Sequence, residues 1–151
     1  MAVETEILRN IVRTIEATTP PTKRLGGYKV DTQQMQLEAT GTTTLGQRRF
    51  VARCDNVRTM VGSQGQETEA LDYQVTHTVE LGYTLPDFTP EGQGIVAEDA
   101  RAITRALTSV TNYDPTTTGI YHRTVSASVQ YDNATRQALV AFTITTEYRA
   151  Q

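Results

Sequence analysis

The chain has one cysteine, no tryptophan and 14 basic residues against 17 acidic ones in 151 residues. A lone Cys54 forms no internal disulfide, which suits assembly in a reducing cytoplasm. No run approaches the ~18 apolar residues of a membrane-spanning helix, so no membrane partner is expected. The opening MAVETEILRN lacks a basic stretch followed by an apolar block, so no secretory signal is expected there. A formal net charge of −3 argues against a dedicated nucleic-acid binder, which must neutralise many phosphates.

Sequence patterns for chemistry are equally sparse. Two histidines, His77 and His122, and one cysteine far apart cannot build a zinc set at the usual spacings. Closely spaced acids around a glycine, as calcium loops require, are absent. Gly62-Ser63-Gln64-Gly65 lacks the G-x-S-x-G spacing and strand-to-helix setting of a nucleophile elbow. No phosphate-cradling or dinucleotide glycine motif occurs, nor an H-E-x-x-H. Glu67 and Glu69 lie in a polar stretch with no apolar neighbours to raise a carboxyl pKa. The expectation is a protein that is not an enzyme and needs no cofactor or metal. His77 falls on the inward phase of a strand pattern and is expected as a hydrogen-bonded core imidazole; His122 is expected exposed.

Threonine is abundant, at 27 residues. It favours strands while keeping a polar tip, which suits sheets facing water or a polar protein surface. Arginine outnumbers lysine by 12 to 2, and arginine is the cation suited to bidentate interface pairs.

The periodicity predicts a helix over 3–18, with Ile7, Leu8, Ile11, Val12 and Ile15 on one stripe, stopped at Thr18-Thr19-Pro20-Pro21. Met35, Leu37 and Ala39 alternate as a half-buried strand, and Phe50, Ala52 and Cys54 as a second. Residues 41–46 and 61–69 read as polar connections. Tyr73 to Leu85 alternates without a break. Residues 86–94 read as loop, followed by a helix with Val96, Ala100, Ile103, Leu107 and Val110 on one stripe and Glu98-Asp99 near its start. Two strands close the chain. Tyr121, Arg123, Val125, Ala127, Val129 and Tyr131 share one face of the first, and Ala138, Val140, Phe142, Ile144 and Tyr148 one face of the second. Asp132 to Thr135 makes the turn between them. The expected fold is a single α+β domain over 1–151, ordered α-β-β-β-α-β-β, with both helices on one face of a mostly antiparallel sheet.

Arg48-Arg49, followed by Arg53 and Arg58, is the one concentrated basic feature of the sequence. These four arginines, with Asp114 in the polar tip 114–119, are the candidates for partner contact. A plain solvated strand face is the competing reading.

The whole organisation resembles the tail terminator, or tail completion, proteins of tailed bacteriophages. An amphipathic N-terminal helix (ETEILRNIVRTIEA) precedes antiparallel strands, then YQVTHTVELGYTL, an acidic loop and the helix EDARAITRALTSV. A hairpin, RTVSASVQYD and ALVAFTITTEYRA, ends the chain. The resemblance implies a homo-hexameric ring on the end of the tail tube. Such a ring stops tube polymerisation and joins the tail-tube protein to the head-tail connector protein. DNA would pass through its lumen without sequence-specific binding. It also implies a location in the virion neck after assembly in the host cytoplasm. The alternatives are a head-tail connector or stopper and, from a different class, a small ligand-binding or hydrolytic α+β enzyme, which a deep apolar pocket would favour.

Overall fold

The computed structural model describes residues 3–22, 25–31, 47–59, 71–84, 89–113, 119–132 and 134–150. Helix α1 spans Val3–Ala17, with Glu4 and Glu6 in its first turn, where carboxylates oppose the helix dipole. Strand β1 is Lys29–Val30, β2 is Arg49–Thr59 and β3 is Leu71–Thr84. Helix α2 spans Pro90–Thr108, followed by a 3₁₀ turn at Val110–Asn112. Strands β4, Ile120–Asp132, and β5, Gln137–Ala150, form the closing hairpin. The order is therefore α-β-β-β-α-β-β, and the class is α+β.

The five described strands lie in the order β1-β2-β3-β5-β4. All pairings are antiparallel except β1 with β2, which is parallel and two residues long. The expected strand at Met35–Ala39 lies outside the described residues. Both helices cover one face. Ile7, Ile11 and Ile15 of α1 and Val96, Ile103 and Leu107 of α2 meet Phe50, Val79, Leu81, Val140 and Phe142, all buried. Val12 is partly buried at the margin of this core. The alternation seen from Tyr73 onward places Val75, His77, Val79, Leu81 and Tyr83 on this face, and β5 contributes every second residue from Ala138 to Tyr148.

Three expectations are corrected. Helix α2 begins at Pro90, within the stretch expected as loop. Thr89 caps it by accepting the Gly92 N–H at 3.2 Å, and Pro90 fits the first turn, where its missing N–H costs nothing. Asp99 is consequently mid-helix and buried, not near the start. At the other end Val110 leaves the stripe: the helix stops at Thr108, and Val110 sits exposed in the 3₁₀ turn. Finally, a register shift between Ile120 and His122 rotates the start of β4, burying Ile120 and turning Tyr121 to solvent.

Candidate interaction face and its buried supports

The sheet face opposite the helices is uncovered among the described residues, and its composition follows from the alternation. Across β4, β5, β3 and β2, one row reads Thr124, Thr145, Thr76, Asn56 and the next Ser126, Thr143, Thr78, Arg53. A third reads Ser128, Ala141, Glu80, Val51. All of these residues are exposed or half-buried. The result is a wide surface of hydroxyls and small side chains.

Two groups of charges on this face are paired locally. The Arg53 guanidinium donates to Glu80 at 2.7 Å and lies 3.4 Å from Asp55, whose carboxylate also accepts from the Thr78 hydroxyl. Glu80 and Asp55 raise the Arg53 pKa, its bond to Glu80 contributing most. At the far end Arg149 binds Asp72 at 2.9 Å. Exposed pairs of this kind add little stability and chiefly neutralise the surface.

Beneath the face, two buried polar clusters tie the layers together. Arg48 is fully buried and donates twice to Asp99, at 2.9 and 3.0 Å. Its remaining nitrogen donates to the carbonyls of Thr22 and Gly26 at 2.7 and 2.6 Å, and its guanidinium lies 5.3 Å from the Tyr28 ring centroid. Tyr83 donates its hydroxyl to Asp99 at 2.5 Å. Burial, then the Asp99 carboxylate, raises the Tyr83 pKa far above its ordinary value, so this donor stays protonated. Arg48 therefore fastens Thr22, Gly26 and the root of β2 to α2. Its backbone adopts φ +51°, a conformation that the four side-chain bonds hold in place.

The second cluster surrounds Arg123, which has no carboxylate partner among the described residues. It donates to the Thr146 hydroxyl at 3.2 Å and to Asn10 at 3.1 Å and stacks 4.9 Å from the Tyr113 ring centroid. Burial lowers its pKa to about 10. His77 is fully buried in the same layer, and neither ring nitrogen has a hydrogen-bond partner among the described residues. Desolvation, followed by the Arg123 charge, pushes its pKa down to about 4, so the imidazole is neutral. The expected burial of His77 holds, but the expected hydrogen bonds are not found among the described residues.

The five partner-contact candidates separate. Arg48 is inside the molecule and is not available to a partner, which corrects its assignment. Arg49 is half-buried, while Arg53 and Arg58 are exposed on β2. Asp114 lies outside the described residues. His122 is exposed, as expected. Cys54 is exposed as well, and desolvation raises its thiol pKa, which lowers its fraction of reactive thiolate.

Among the described residues no three metal-ligating side chains come together, and no helix is long and apolar enough to cross a membrane. An open depression bounded by Asp72, Gly119, Tyr121 and Arg149 lies at one end of the sheet, and a shallow groove runs between α2 and β4. The chain matches no protein-family model and no curated protein sequence.

Proposed function

We propose that the chain is a structural virion protein that forms a ring, of six subunits by resemblance, at the head-proximal end of a phage tail tube. The ring stops tube polymerisation and joins the tail to the head connector. The observation that carries this reading is the one-sided architecture: a wide, hydroxyl-rich sheet face left uncovered among the described residues while both helices pack behind it. Such a face offers polar contact area to protein neighbours. The chain's net charge of −3 also gives little attraction to DNA passing a lumen. Head-to-tail contacts repeated around a closing rotation would generate the ring. The resemblance of the whole sequence to tail terminators supplies the biological setting.

Complementation tests the role. Phage lacking this protein should produce over-long tails or unjoined heads and tails by electron microscopy, and supply of the wild-type chain should restore normal particles. Over-long tails identify a terminator, whereas tails of normal length that fail to join identify a connector or stopper. Normal joined particles in the complete absence of the protein would contradict the proposal.

A further inference from the structure

We propose that the outer edge of β4 is a two-fold docking edge for a second copy of this chain. β4 ends the strand order, so no described strand pairs with its outer side. Open edges are usually blunted by charge, proline or a bulge. The opposite side of the sheet follows that rule: beyond Ala52, β2 carries Arg53, Asp55 and Arg58, and its register shifts between Cys54 and Asn56. On β4 the stretch Thr124–Gln130, TVSASVQ, has no charge, proline or glycine. Its centre, Ser126-Ala127-Ser128, is exposed.

The sequence of this edge is self-complementary. Val125-Ser126-Ala127-Ser128-Val129 reads the same in both directions. Antiparallel pairing about Ala127 sets Val125 against the partner's Val129, Ser126 against the partner's Ser128 and Ala127 against itself. The faces agree: Val125, Ala127 and Val129 lie on the helix side in both copies, and the serines on the other. The charges agree as well. The same register places exposed His122 opposite the partner's Asp132, so an imidazole N–H meets a carboxylate twice, once at each end. Hydrogen bonds from Thr135 and Ala134 hold the Asp132 pKa below its usual value, keeping it ionised. A slip by two residues opposes Ala127 to Val129 and His122 to Ala134, and loses both pairs. A slip by one puts side chains on the wrong faces. There is also room. Ala100 and Thr104 leave the shallow groove beside Ala127, with Arg101 and Arg105 at its rim.

This contact goes beyond the ring reading and does not rest on it, because an isologous contact closes at two subunits while a ring needs head-to-tail ones. In a Cys54→Ser background, Ala127→Cys would bring two thiols to the two-fold axis. Paired Cα atoms there are about 5 Å apart, within disulfide reach. Thr124→Cys is the control, since its two copies would lie roughly 20 Å apart. Under mild oxidation at micromolar concentration, Ala127→Cys should link into a dimer on non-reducing gels and Thr124→Cys should not. A mixture of Thr124→Cys and Gln130→Cys should link to each other. Separately, Ser126→Lys with Ser128→Lys opposes like charges and should weaken the dimer about tenfold or more by native mass spectrometry. Ser126→Lys with Ser128→Glu opposes unlike charges and should restore it. Linking of Ala127→Cys no faster than the control would overturn the proposal. A six-membered ring with Ala127→Cys unlinked would overturn it and leave the ring reading standing. A linked dimer that forms no ring with tail-tube protein would support this contact and count against the ring.

Discussion

A buried imidazole without hydrogen-bond partners among the described residues makes His77 the residue through which acid should act on this fold. Its pKa of about 4 lies below the 6.5 it would have unfolded. Between those values the unfolded chain binds the extra proton and the folded chain does not. The stability tied to a neutral His77 is therefore complete above about pH 6.5 and is lost progressively as pH falls toward 4. Between pH 7.5 and 5 the loss should be on the order of 2 kcal/mol. Urea denaturation at pH 7.5 and 5 measures it, and His77→Leu should remove this part of the pH dependence. An unchanged pH profile in His77→Leu would show that other groups carry it. Arg48 and Asp99 illustrate the opposite solution at residue scale, with both charges buried and each hydrogen-bonded. Breaking such a pair leaves one charge stranded, which is why removal of a single partner is costly.

At the scale of elements, the packed face was legible where a simple period governs it. The alternation from Tyr73 and from Ala138 identified the inward residues of β3 and β5, and the stripe Ile7, Ile11, Ile15 identified the buried side of α1. The start of α2 has a local signal in Thr89-Pro90, a cap followed by a first-turn proline, but Gly92 and Gly94 in the same stretch favour a loop reading. The arginine run suggests a surface position for Arg48, which is buried. Its parity with Phe50 and Ala52 was the available signal, and Asp99 falls between Val96 and Ile103 on the buried stripe. Their union across 51 positions is a tertiary fact with no local trace. The shift at the start of β4 also has no signature in the alternation. Just before it, Gly119 adopts φ +73°, and a β-carbon there would stand 2.3 Å from the Arg149 carbonyl oxygen. The Gly119 carbonyl accepts the Arg149 N–H at 3.0 Å, which fixes the strand entry. Gly119→Ala should therefore destabilise the fold by about 1–3 kcal/mol in thermal or urea unfolding. A change within about 0.5 kcal/mol, ordinary for surface sites, would mean that the β4 entry yields easily.

For the whole molecule, the partition of polar groups separates stability from association. Buried charges hold the layers together, while the outer sheet face is neutralised by local pairs such as Arg53 with Glu80. Arg58→Glu, at an exposed position on β2, should leave unfolding within about 0.5 kcal/mol of the parent, yet reduce joining if this face meets a partner. The proposed role is that of a ring-forming structural part. Native mass spectrometry at micromolar concentration, alone and with tail-tube protein of the same virus, tests it most directly. A closed oligomer of about six subunits, or two such rings joined where the β4 edges pair, is expected alone or on the tube by resemblance and cyclic closure. A species that never exceeds a dimer under both conditions would contradict it.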